Sequence, residues 1–163
     1  MIDVILHGSN GRMGQVVASV AATDPEIRIV AGVDYTPSSR NPNFPTYGSF
    51  EQCTEFASAI IDFSSPVAIP NLLQSACKRK LPLVIATTGL SPEDLKAIKT
   101  ASEVIPILRS ANMSLGINLM YELSQKAASF LGDKFDIEII EKHHNQKVDS
   151  PSGTAFALAD AIN

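Results

Sequence analysis

His143 and His144 stand side by side, with Lys147 four residues beyond His143, inside the run EKHHNQKVDSPSGTA that covers residues 141–155. Three titratable nitrogen groups in so short a stretch could ligate a metal, move protons, or face solvent as a plain polar loop. Metal ligation fits poorly. Neighbouring residues on an extended segment point to opposite faces, and no third ligand has helical spacing to the pair, so no metal site is expected. Proton transfer stays open, and so does the plain loop, since Lys142, Asn145, Gln146 and Lys147 are ordinary loop residues. The residues that follow favour chemistry. Ser150 reads as a helix N-cap, Pro151 as the first helical position and Gly153-Thr154 as the first turn. The N–H groups at such a start lack intrahelical acceptors, so a carboxylate would bind there, directly beside the cations.

A second group of residues lies near the other end, in HGSNGRMGQVV. Gly8, Gly11 and Gly14 come straight after an apolar run and at the opening of a helix-period segment. Glycine suits a turn of unusual backbone angles, and it lets a pyrophosphate approach free N–H groups at a helix start. The GxxGxxG spacing is a variant of the dinucleotide fingerprint, although small glycines also serve plain strand-to-helix packing. Asp34, about twenty residues on, sits where an acid accepts hydrogen bonds from a ribose. Arg12 would lie over adenine, reach a phosphate, or simply face solvent. After Asp34 come Tyr35-Thr36-Pro37, and the next cation is Arg40, so little is set out to receive a 2′-phosphate.

The elements that must carry these groups alternate. IDVILH (2–7), IRIVAGVD (27–34), AIIDF (59–63), PLVIATT (82–88) and VIPIL (104–108) are rich in Ile and Val and apolar on both faces, as buried parallel strands are. Segments 12–22, 66–80 and 91–102 have helical period, the last opened by Ser91, Pro92 and the acids Glu93 and Asp94. A doubly wound parallel α/β sheet follows, with 37–49 as a proline-bearing loop after its second strand. Asp62-Phe63-Ser64, Thr87-Thr88-Gly89 and Ala111-Asn112-Met113-Ser114 then lie at carboxyl ends of strands, where open sheets bind ligands; singly, each also reads as a polar turn. From 114 the pattern changes. Leu115, Leu119, Leu123 and Ala127 share a helix face up to Leu131 and Gly132. FDIEIIEKHH (135–144) alternates like a half-exposed strand, placing Phe135, Ile137, Ile139, Glu141 and His143 on one face. Residues 1–113 are therefore expected to form a dinucleotide-binding domain. Residues 114–163 are expected to begin a second, α+β domain whose single strand and two helices do not close a core.

Composition removes several classes of function. The chain has 163 residues, 45% of them hydrophobic and 18% charged, with a formal net charge of −4 and no extended basic run. Neither nucleic acid nor an anionic membrane is expected as a partner. Cys53 and Cys77 have no metal-site spacing, and the start MIDVILHG has no basic region or cleavage site, so a reduced, cytoplasmic setting is expected.

Taken together, Gly8-Ser-Asn-Gly-Arg-Met-Gly14, Asp62-Phe-Ser64, Thr87-Thr-Gly89, Ala111-Asn-Met-Ser-Leu-Gly116 and E-x-H-H-x-x-K-x-D-x-P-S-G-T-A over 141–155 resemble the dihydrodipicolinate (4-hydroxy-tetrahydrodipicolinate) reductase family of diaminopimelate and lysine biosynthesis. The last motif is highly specific and the glycine turn is not. The resemblance implies a Rossmann-type domain binding NADH or NADPH over Gly8, Ser9, Asn10, Gly11, Arg12 and Met13, with Asp34 at the ribose. It places Ala86, Thr87, Thr88, Ser110, Ala111, Asn112 and Met113 near the nicotinamide. It implies His143 as proton donor and acceptor, Lys147 as a second donor, and His144, Gly153 and Thr154 as binders of a cyclic imine dicarboxylate. It also implies further chain completing a mixed sheet that builds a homotetramer, so the second domain reads as incomplete here. Two other functions compete. A sister semialdehyde dehydrogenase would need an activated cysteine, and neither SFEQCTEF nor QSACKRK offers a convincing site. A non-enzymatic redox sensor would keep the glycine turn but have no use for His143, Lys147 and the carboxylate cradle.

Overall fold

A computed structural model describes residues 1–36, 43–110, 112–145, 147 and 150–163. Arg40, Ala111, Gln146 and Asp149 lie outside the described residues. The chain divides into two compact units, Met1–Arg109 and Ser110–Asn163.

In the first unit the Ile- and Val-rich runs become strands β1 (Ile2–His7), β2 (Ile27–Val33), β3 (Thr46–Tyr47), β4 (Ala59–Asp62), β5 (Leu83–Ile85) and β6 (Ile107–Arg109). They form one sheet in the order β3-β2-β1-β4-β5-β6, with every neighbouring pair parallel. Helices α1 (Arg12–Ala21), α2 (Ile69–Arg79) and α3 (Pro92–Ala101) make the crossovers. A strand apolar on both faces must be covered on both, and it is. Ile5, Ile60, Leu83 and Ile85 pack with Leu72, Leu73 and Ala76 of α2 and Ile98 and Ala101 of α3, whereas Leu6 packs with Ala18 of α1 and Phe44. The sheet is the doubly wound parallel arrangement that the alternation predicts. Its order reverses beside β1, so the carboxyl ends of β1 and β4 border the crevice where such sheets bind ligands.

Two local expectations need correction. The stretch 37–49 is not loop throughout, because β3 pairs with β2 at Gly32↔Thr46 and Val33↔Tyr47. An open strand edge offers unpaired N–H and C=O groups, and Gly32 N–H donates to Pro45 O at 2.8 Å while Asp34 N–H donates to Tyr47 O at 2.9 Å. The last strand, expected over 104–108, starts later. The N–H groups of Val104 and Ile105 both donate to Ala101 O, at 2.9 and 3.1 Å, and so finish α3 instead of joining the sheet.

The second unit contains α4 (Leu115–Leu131) and α5 (Gly153–Ile162), which pack together. Gly132 ends α4 at φ 63°, as its stop signal predicts. The alternating segment 135–144 forms no strand: a ladder needs a neighbour, and among the described residues none pairs with it.

Candidate functional site

The turn between β1 and α1 is built around Gly8. Its φ of +76° belongs to the left-handed region, and a Cβ there would lie 2.6 Å from Phe63 O. Gly14, one turn into α1, is fixed by proximity instead, since a Cβ would sit 2.2 Å from Gly8 O. The chain therefore folds back tightly on itself, with Gly8 N–H bonded to Val33 O and Gly11 N–H to Gly8 O. Helix α1 opens at Gly11 with no side-chain cap and no acid in its first turn, which leaves its end N–H groups and positive pole for an anion. Asp34 reaches this turn: its Oδ2 accepts from Asn10 N–H at 2.8 Å and its Oδ1 from Thr36 N–H at 3.0 Å. Ser9 is fully buried, whereas Arg12 and Met13 are exposed at the mouth of the turn. A cleft of about 300 Å3 lined by His7, Asp34, Tyr35, Phe50, Ser65 and Asn71 opens at the same carboxyl ends of the strands. A second cleft of about 330 Å3, lined by Met1, Ile27 and Phe44, lies at the amino ends, where open sheets do not place their ligands.

Under the turn lies a buried polar cluster. Asp62, fully buried at the end of β4, bonds through Oδ1 to His7 Nδ1 at 2.8 Å and to the Ser64 hydroxyl at 2.6 Å. Its Oδ2 accepts from the Thr87 hydroxyl at 2.7 Å. Burial pushes the Asp62 carboxyl up, but the bonds from His7, Ser64 and Thr87 outweigh it and leave the group below the usual aspartate value. One carboxylate thus joins the ends of β1, β4 and β5 and fixes the Thr87 side chain. Ala86 is half-buried beside it and Thr88 is exposed.

In the second unit, the start of α5 lies later than Ser150. The N-cap is Ser152, whose hydroxyl accepts from Ala155 N–H at 3.0 Å, because that oxygen reaches the N–H that needs an acceptor. Ser152 itself is buried and donates twice to Glu141, from its N–H to Oε1 at 2.8 Å and from its hydroxyl to Oε2 at 2.5 Å. Those two bonds, with His143 and Lys147 nearby, hold the Glu141 carboxyl below the usual glutamate value. His143 Nδ1 lies 3.6 Å from Glu141 Oε2, within ion-pair reach, and both His143 and His144 are exposed. Lys147 N–H donates to His144 O at 3.2 Å. Asn112 Nδ2 donates to Thr154 Oγ1 at 3.1 Å, so that oxygen's own hydrogen is left to point elsewhere. Ser110 and Met113 flank Asn112, and the Ser110 hydroxyl donates to Asn112 O at 2.8 Å.

The structure gathers Gly8, Ser9, Asn10, Gly11, Arg12, Met13 and Asp34 around one turn, and Glu141, His143, Gly153 and Thr154 around one helix start. Sequence reading did not single out His7, and it named Asp62 and Glu141 without the partners they bond. His7 carries a titratable ring at the last position of β1, a signal its place beside Gly8 could have raised. Asp62 and Glu141 stand in quoted motifs, yet only the fold brings them to Thr87 and Ser152, 25 and 11 residues further on. Cys53 is buried, and burial pushes its thiol up, which does not suit a thiolate nucleophile. Among the described residues no group of three His, Cys, Asp or Glu side chains could hold a metal ion.

Comparison with known proteins matches both units. A family model described as "Dihydrodipicolinate reductase, N-terminus" matches residues 2–113, and one described as "Dihydrodipicolinate reductase, C-terminus" matches residues 116–163. A 4-hydroxy-tetrahydrodipicolinate reductase of Caldanaerobacter subterraneus subsp. tengcongensis is 56% identical over 163 residues, covering 100% of this chain and 64% of the relative. One from Clostridium perfringens is 45% identical, covering 99% of this chain and 64% of that protein. The chain thus spans 64% of the length of these curated relatives. The solved structure of a dipicolinate-bound dihydrodipicolinate reductase from Paenisporosarcina sp. TG-14 superposes with a TM-score of 0.80 at 28% identity, covering 99% of this chain and 65% of that one.

Proposed function

The chain belongs to the dihydrodipicolinate reductase family, and from that premise we propose that it carries the nucleotide-binding and proton-donating parts of an NAD(P)H-dependent 4-hydroxy-tetrahydrodipicolinate reductase of diaminopimelate and lysine biosynthesis. The observation that carries the reading is the start of α5. Its N-cap Ser152 is bonded to Glu141, on whose carboxylate His143 and Lys147 act, in a family where a solved relative holds dipicolinate, a planar dicarboxylate. Cationic side chains and a helix N-terminus are what a dianion needs once it leaves water.

The first unit fits a dinucleotide. Gly8 and Gly14 let the backbone close into a tight turn before α1, α1 has no first-turn acid, and Asp34 is already held as an acceptor. When bound, the nicotinamide supplies a hydride to ring carbon 4 of the cyclic imine. Asp34 accepts from the adenosine ribose, and Asn10 keeps that carboxylate in place through its N–H. A carboxylate there meets hydroxyl groups well and a 2′-phosphate poorly, and the glycine turn carries Arg12 as its single Lys or Arg, so NADH serves at least as well as NADPH. Thr87, fixed by Asp62, presents the end of β5 to the cofactor.

In the second unit Thr154 accepts from Asn112 and donates its own hydrogen to a substrate carboxylate. Gly153, Thr154 and His144 bind the dicarboxylate. His143 delivers a proton to the ring atom beside the reduced carbon, and Lys147 meets a carboxylate and backs the proton transfer. The longer family chain is read as a homotetramer working in the cytoplasm.

Three measurements test this. Calorimetry with pyridine-2,6-dicarboxylate should show binding that Thr154→Val weakens without changing NADH affinity. Titration with both cofactors by fluorescence should give NADH affinity equal to or above NADPH; a clear tenfold preference for NADPH would overturn the cofactor reading. Turnover of freshly generated substrate, followed by NADH consumption, tests the reaction itself.

A further inference from the structure

We infer that Glu141 is a positioning residue for the dicarboxylate site, clamping the start of α5 in the geometry that leaves the N–H groups of Gly153 and Thr154 open to an anion. The inference rests on the proposed dicarboxylate role of that helix start. Its premise is a conflict of charge. A carboxylate at the edge of a site for a dianion repels the substrate, and such a group is a liability unless its charge is used otherwise. Here both oxygens are used. Oε1 takes the Ser152 N–H at 2.8 Å and Oε2 takes the Ser152 hydroxyl at 2.5 Å.

The consequence runs through the donors of the first turn. Ser152, only 4% exposed, gives both of its hydrogens to Glu141, so its hydroxyl oxygen can turn its lone pair to Ala155 N–H at 3.0 Å. Glu141 thus satisfies the N-cap N–H, Ser152 satisfies the third helical N–H, and the two between them belong to Gly153 and Thr154. Among the described residues, neither of those two has a protein acceptor. A helix start with its flanking donors held and its middle donors open is a two-pronged receptor for one carboxylate. Without Glu141, Ser152 would keep a buried N–H and hydroxyl with no acceptor, and the turn would rearrange to find one.

The same carboxylate faces the proton-donating side chain. His143 Nδ1 stands 3.6 Å from Oε2, and His143 and Lys147 are the charged groups that act on Glu141. Holding His143 from its Nδ1 side leaves Nε2 for substrate. Glu141 therefore links the acid of the proposed reaction to the proposed carboxylate cradle, and it acts through Ser152 and His143.

The test uses this chain with Glu141→Gln and Glu141→Ala, each titrated with pyridine-2,6-dicarboxylate by calorimetry and with NADH by fluorescence. Losing charge-assisted bonds should weaken the dicarboxylate about tenfold or more in the Ala variant. Gln should fall between, because its carbonyl can still take the Ser152 N–H while its amide cannot accept the hydroxyl hydrogen. NADH affinity should stay at the parental value in both. Independently, the Ser152 amide resonance should follow the ionisation of Glu141, with a midpoint below the ordinary glutamate range. Unchanged or tighter dicarboxylate binding by Glu141→Ala would mean that repulsion outweighs positioning, and it overturns the inference. So would a Ser152 amide that ignores the Glu141 titration. Should the parental chain bind no dicarboxylate, the functional reading fails, while the Ser152 resonance still decides whether the clamp exists.

Discussion

In the proposed reaction His143 and Lys147 differ from His144 in what each would do to the rate. An acid held within reach of the atom that gains the proton acts on the transition state more than on the bound substrate, so its loss appears in kcat. In a chain that turns over, His143→Gln and Lys147→Ala should each lower kcat by about 100-fold or more, the Lys147 variant also raising KM. His144→Gln should act chiefly on KM; steady-state NADH oxidation separates the cases, and a His144 variant more damaging than His143 would reverse the roles. Asp62 makes a different residue-scale case, one of stability. Its carboxyl lies below the usual aspartate value when folded, so its stabilisation is fully present above the ordinary aspartate range. That stabilisation is lost as the pH falls from there through the lowered folded value. Asp62→Asn should cost about 3 kcal/mol near neutrality, because it strips the charge from a buried bonded cluster. Denaturant melts below pH 5 should then show a much flatter pH dependence for the Asn variant than for the parent.

Whole elements owe their limits to the partners of a few backbone groups. Helix α3 starts where Ser91 and Asp94 exchange bonds, the Ser91 hydroxyl accepting from Asp94 N–H at 3.1 Å and the Asp94 carboxylate accepting from Ser91 N–H at 2.9 Å. Serine, proline and two acids in a row made that start legible from the sequence. Ser91→Ala should lower the unfolding free energy by about 1 kcal/mol, with little effect on dicarboxylate or NADH binding, as denaturant titration and calorimetry would report. The start of α5 was less legible. Ser150-Pro151 carries the stronger sequence signal, yet Ser152 is the residue whose hydroxyl reaches Ala155 N–H and whose own donors meet Glu141. The segment 135–144 makes the same point for strands. Its alternation is plain, but alternation states only which side chains would share a face, and a strand exists only where a neighbour supplies hydrogen bonds.

At the scale of the molecule the two units differ in what holds them. Among the described residues every buried hydrophobic side chain lies between Val4 and Ile105, all in Met1–Arg109. In Ser110–Asn163 the apolar faces of α4 stay largely in solvent, Leu115, Leu119 and Leu123 among them. Protection against local opening follows buried apolar contact. Amide exchange in this chain should therefore leave β1, β4 and α2 the slowest, with α4 and α5 exchanging at least about 100-fold faster. Equal protection in both units would mean that α4 and α5 are held by burial in solution. No described helix is long and apolar enough to cross a membrane.

Local and periodic properties were determined by the sequence alone. Strands apolar on both faces, helices with caps and first-turn acids, and a glycine turn between β1 and α1 depend on neighbours within a few residues, so the parallel sheet and the position of that turn could be read directly. The specific run over 141–155 likewise marked His143, Lys147, Gly153 and Thr154 before any fold was known. What only the tertiary structure decided is which distant groups satisfy one another. A buried polar atom takes whatever partner the packing brings within about 3 Å, and sequence separation says nothing about that. Hence the pairing of β3 with β2, the meeting of His7, Asp62 and Thr87 beneath the glycine turn, and the hold of Glu141 on Ser152 became visible only once the chain was folded.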